Sequence, residues 1–118
     1  MFDKPAPELL IAAARQALEA GVEQGFPQKV VANALGIAER ELTRGPALNA
    51  AEHARLQQLL GEDGDVAALN NRLAAAIRER AIATDQAQLI EHLILTTVAK
   101  LEVDQPAYPA FRAWRERP

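Results

Sequence analysis

Leu89-Ile90-Glu91-His92-Leu93-Ile94-Leu95-Thr96-Thr97-Val98-Ala99-Lys100-Leu101 is the most apolar continuous stretch of the chain. At 100° per residue, Leu89, Ile90, Leu93, Ile94, Val98 and Leu101 cover one half of a helix, and Leu95 and Ala99 lie on the other. A helix that is apolar nearly all round is normally buried. The stretch therefore reads either as the central helix of a bundle or as half of an oligomer interface.

The flanking sequence supports helices throughout. Ala is by far the commonest residue, whereas Val, Ile and Thr together number sixteen. Ala is the best helix former, and β-branched and aromatic residues favour strands. The composition alone thus points to an all-α protein. Each Ala contact buries little area, so the core must rest on fewer Leu and Ile side chains.

Pro and Gly divide the rest into blocks. Pro5 and Pro7 open a helix over about 7–23, and Gly21 and Gly25 weaken its end. A second helix is expected from Phe26-Pro27 to Arg44, stopped by Gly45-Pro46. A third starts near Asn49, whose Glu52 fits the capping-box spacing, and ends at Gly61. Asp65 caps a fourth, over about 66–82. Thr84 or Asp85 caps a fifth, over about 86–102, which Asp104-Gln105-Pro106 ends. A short sixth occupies 108–115. The expected fold is all-α, a compact bundle of five to six helices in a single domain over 1–118, with the second and fifth helices central.

The chain of 118 residues has 49% hydrophobic and 25% charged residues, a net charge of -3 and no Cys. That excludes a disordered chain, a disulfide scaffold and a Cys-based metal site. With two His, a His-rich zinc site is excluded as well. The acidic balance argues against nucleic acid as a partner. No apolar run reaches the roughly 20 residues that span a bilayer. Met1-Phe2-Asp3-Lys4-Pro5 lacks the pattern of a secretory signal. The expected location is cytoplasmic.

Candidate chemistry is sparse. Asn33, Ile37, Arg40 and Arg44 share one helical stripe, where Asn33 and Arg40 could hold an anionic group. The plainer reading is that Asn33 fixes helix register and Arg40 pairs with a carboxylate. His92 sits on the apolar fifth helix as a third potential anchor. Its ordinary role is that of a core-edge His bonded to a carbonyl or carboxylate, and His53 should face solvent. Glu39 and Glu41 diverge on a helix and do not form an acid–base pair. Gly61-Glu62-Asp63-Gly64-Asp65 fails the calcium-loop pattern and reads as a turn into a cap. Thr96 and Thr97 can bond back to carbonyls and so be buried cheaply. Phe111-Arg112-Ala113-Trp114-Arg115-Glu116-Arg117 combines aromatics with cations, either for a protein contact or for a tail folded back by Trp114. No nucleophile triad, phosphate loop or dinucleotide fingerprint is present. The residues imply no cofactor, no metal and no catalytic group.

Several segments together resemble a family of short bacterial proteins classed only as a domain of unknown function. They are Pro7-Glu8-Leu9-Leu10, Lys29 to Leu42 (KVVANALGIAEREL), Asp63 to Asn70 (DGDVAALN) and Lys100 to Tyr108 (KLEVDQPAY). Where a His is expected two residues before the Lys29 run, this chain has Phe26-Pro27-Gln28. Members of that family are often encoded beside aminoglycoside-phosphotransferase-like kinases and acyl-CoA dehydrogenases. The resemblance therefore implies an accessory role to such an enzyme. The residues themselves place the expected contact at Leu95 on the apolar fifth helix and at Phe111 and Trp114 in the C-terminal segment, with either a protein partner or a second copy of the chain. It implies no catalytic residues. The rival expectation is a small-molecule binder, with a pocket between helices anchored by Asn33, Arg40 and His92.

Overall fold

The computed structural model describes residues 2–118. Met1, where the reading of the leader begins, lies outside them. Among the described residues there are five helices and no strand: α1 (Pro7–Ala20), α2 (Phe26–Leu60), α3 (Val66–Arg78), α4 (Ala87–Asp104) and α5 (Pro109–Arg115). The all-α reading holds. No helix among the described residues is long and apolar enough to cross a membrane.

The chain divides into two compact units, residues 2–46 and 47–118. In the first, the fully buried apolar side chains are small, Ala14 and Ala38. Gly45 is buried there too, because a Cβ at that position would stand 3.5 Å from the Phe2 ring. In the second, Leu56 of α2, Leu69 and Leu73 of α3 and Leu89 of α4 form one core cluster. Leu60, Val66, Ile77 and Ile82 pack on its edge. The expected fifth helix, α4, is central to this core, together with α3 and the C-terminal part of α2, which the sequence reading makes the third helix; the expected second helix, 26–44, is the part of α2 in the other unit.

The largest departure from expectation is α2. Gly45-Pro46 does not stop it, and the second and third expected helices are one helix of 35 residues with Pro46 inside. Asn49 is consequently mid-helix and caps nothing. Glu52 is not a capping-box residue either. It is buried and accepts a hydrogen bond from Asn70 Nδ2 at 3.4 Å. A Pro inside a helix removes one hydrogen bond and crowds the carbonyl four residues back. Here the turns on both sides carry buried residues, Ala38 and Gly45 before it and Glu52 and Leu56 after it, so side-chain packing outweighs the local signal.

Smaller boundary shifts have local causes. α1 ends at Ala20 rather than near 23, because Gly21 turns away at φ +96°. α2 ends before Gly61 as expected, with φ +63° there. Asp65 caps α3 by accepting from the Ala68 N–H at 2.7 Å. α3 stops at Arg78, short of 82, because Arg80 adopts φ +59° and the Ala81 N–H returns to the Ala76 carbonyl at 2.8 Å. Neither Thr84 nor Asp85 caps α4. The Gln86 N–H closes a backbone turn onto the Ala83 carbonyl, and Gln86 takes the cap position without a side-chain bond. The predicted sixth helix is α5, which packs against α4.

Candidate functional site

The inner face of α4 is less apolar than its sequence implies. Leu89 and Val103 are buried on it, and so is His92. Its large side chains Ile90, Leu93 and Ile94 remain 42%, 47% and 46% exposed. α4 is therefore a core helix along one stripe only, and its opposite stripe presents apolar surface at the spacing of a helix interface.

The C-terminal segment turns that surface into a cleft. Ile90, Ile94 and Leu95 form its floor with Ala87, and Trp114 and Arg117 form a wall. The cleft has a volume of about 400 Å³ and is bordered by Asp85 and Glu91. Two cation–π contacts shape the wall. The Arg117 guanidinium lies 4.0 Å from the Trp114 ring centre, and that of Arg115 lies 5.6 Å from the Phe111 ring centre. Stacking over Trp is the most favourable arrangement of this kind.

The expected contact residues are distributed unevenly on it. Leu95 and Trp114 line the cleft, half-buried. Phe111 is buried and serves as the anchor of α5, which removes it from the surface expected to meet a partner. Ile90 and Ile94 are not among the expected contact residues, yet both are more exposed than Leu95. Their signal was present in the nearly complete apolar circumference of the helix.

A polar cluster occupies the other side of α4. Arg55 of α2 donates from Nε to His92 Nδ1 at 3.1 Å and from Nη2 to Thr96 Oγ1 at 3.2 Å. Acceptance at Nδ1 places the His92 proton on Nε2. The partner of His92 is thus an arginine, not the carbonyl or carboxylate expected. Thr97 does bond back, to the Leu93 carbonyl at 2.8 Å, whereas Thr96 serves Arg55 instead. His53 is half-buried rather than solvent-facing, and its Nε2 donates to the Gly64 carbonyl at 2.7 Å. Beside it, Gln57 Nε2 and the Gly64 N–H donate to Asp63, which holds that carboxyl below its ordinary range.

Of the three expected ligand anchors, Asn33 and Arg40 belong to the 2–46 unit and His92 to the 47–118 unit. Asn33 is exposed. Arg40 folds back along its own helix, so close to Gly36 that a Cβ there would meet Nη1 at 3.0 Å. His92 lines a cavity with Arg55, described below.

His92 has a pKa below the ordinary 6.5. Burial disfavours its cation most, the Arg55 charge adds to this, and Glu52 opposes both. The sign for stability follows. Below 6.5 the unfolded chain binds a proton that the folded chain resists, so stability falls as pH drops through 6.5 towards the lower folded value. Protonation would also remove the lone pair that accepts from Arg55. Thermal melts across that range should show a steeper acid-side loss for the native chain than for His92→Gln. Parallel curves would assign the loss to other groups.

Among the described residues no group of three or more His, Cys, Asp or Glu side chains could hold a metal. A family profile described as a domain of unknown function (DUF6285) matches residues 12–108. The match takes in all of α2, α3 and α4 and stops before α5. No curated protein and no solved structure matches the chain.

Proposed function

The chain belongs to the DUF6285 family, a domain of unknown function, and from that premise we propose that it is a bacterial accessory protein acting by contact rather than by catalysis. Its partner is an enzyme like those the sequence resemblance implies, an aminoglycoside-phosphotransferase-like kinase foremost. The contact is an amphipathic helix of that enzyme laid along the cleft of α4. The observation that carries this reading is the outer stripe of α4. Ile90, Leu93 and Ile94 stand nearly half exposed, with Thr97 and Leu101 one and two turns on. That is the i, i+3/i+4, i+7, i+11 spacing which a second helix covers. Exposed apolar surface of this extent marks an interaction site more often than it occurs idly. The floor is apolar, while Asp85, Glu91 and Arg117 supply a charged rim of both signs. Such a rim fixes the orientation of a bound helix more than its affinity.

The test is co-purification with an aminoglycoside-phosphotransferase-like kinase from the same genome. Native protein should co-elute with it, and Ile94→Glu should not, while the helical signal and melting temperature of the variant stay close to native. Ile94 is the better probe than Leu95, because its exposure lets a charge sit there without unfolding the chain. Retention of the kinase by Ile94→Glu would overturn the reading. So would a native homodimer that Ile94→Glu converts to monomer, since the occupant would then be a second copy.

A further inference from the structure

Arg55 is half-buried between α2 and α4. A guanidinium has five N–H donors. One is used on His92 and one on Thr96, and both acceptors are uncharged. Among the described residues no carboxylate pairs with Arg55. Glu52, one turn earlier on α2, accepts from Asn70 Nδ2. His92 and Thr96 therefore hold the guanidinium in one orientation and leave most of its donors unspent.

Arg55 lines a cavity of about 150 Å³ with Gln58, Leu59, Gln88, Glu91 and His92. Its size is below the roughly 300–1,000 Å³ of sites that take drug-sized ligands, so it suits a molecule of a few heavy atoms. Its chemistry is mixed. The planar fork of an Arg matches the two oxygens of a carboxylate. The Gln58 and Gln88 amides can donate or accept. Glu91 repels a second negative charge on the ligand and accepts a hydrogen bond from an N–H or O–H. Leu59 gives one apolar wall. We propose that this cavity binds a small monocarboxylate carrying an N–H or O–H donor next to its carboxyl group, with Arg55 gripping the carboxylate and Glu91 receiving the donor. The neutral imidazole of His92 is what locks the Arg55 side chain for that grip.

The test is an NMR titration of the full chain, labelled with ¹⁵N-arginine, using glycolate, glycine, acetate and inorganic phosphate as probes. Glycolate or glycine should move the Arg55 Nε–H signal saturably. Acetate, which lacks the donor, should bind about tenfold more weakly or worse. Arg55→Lys keeps the charge without the fork and should weaken glycolate about tenfold. Glu91→Gln, at an exposed position, should remove most of the preference for glycolate over acetate. If Arg55→Lys fails to fold, the exposed pair Gln58→Ala and Gln88→Ala serves instead, and glycolate should weaken severalfold. The proposal falls if no carboxylate saturates the signal, if phosphate binds more tightly than glycolate, or if the variants bind as the native chain does.

Discussion

Leu69→Ala should remove about 2–5 kcal/mol of stability, the range of buried leucine truncations that leave a cavity. The site gives little scope for collapse. Leu69 is 0% exposed on α3, enclosed by Leu56, Leu73 and Leu89 from three helices. The Gly64 backbone closes it from below, and a Cβ there would touch Leu69 Cδ2 at 3.7 Å. The surrounding sequence is rich in Ala, which cannot reach into the space vacated. Domains are stable by only about 5–15 kcal/mol in total, so this one change takes a large share. Urea unfolding followed by circular dichroism measures it as a fall in midpoint at constant slope. Leu93→Ala is the control. It removes the same atoms at a position 47% exposed and should shift stability by no more than about 0.5 kcal/mol. Equal losses for the two would mean that Leu93 is covered in solution.

Pro46→Ala should act in the opposite direction, as a stabilising substitution. Pro46 lies in the interior of α2, where its missing N–H leaves the Leu42 carbonyl without its helical donor. Pro is about 3 kcal/mol worse than Ala inside a helix. Ala also frees the unfolded chain, which returns about 0.4–1 kcal/mol. The net gain is about 2 kcal/mol, worth roughly 4 °C of melting temperature per kcal/mol in a chain of this size. Differential scanning calorimetry reads it directly. A lower melting temperature would show that the geometry Pro46 imposes is used by packing on either side of it.

That position also shows where sequence reasoning reached its limit. Gly45-Pro46 is the strongest stop signal in the chain. Stop signals describe what a backbone prefers alone, and they contain nothing about the buried residues in the turns on either side. Caps divided the same way. Asp65 was legible because its carboxylate meets a nearby N–H within the same segment. The start of α4 was not, because a backbone turn replaced the expected side-chain cap. At the candidate site, the apolar circumference of α4 was readable, but not which stripe would be buried. The answer depends on Arg55, 37 positions away from His92. Arg55 draws a polar residue inward, and Ile90, Leu93 and Ile94 are left outside. Long-range partners of that kind have no local sequence signature. The same holds for Phe111 and Trp114, alike in sequence and three residues apart, of which one became an anchor and the other a wall.

Trp114 is the only tryptophan in the chain. It stands in the wall of the α4 cleft beneath a stacked guanidinium. Excited at wavelengths longer than Tyr108 absorbs, the native protein therefore emits from a single known place. Anything that seats there and excludes water from the indole, or lifts Arg117 from its face, will change the colour or yield of that light. The molecule thus carries its own optical gauge of occupancy, usable without a dye or tag on the purified chain.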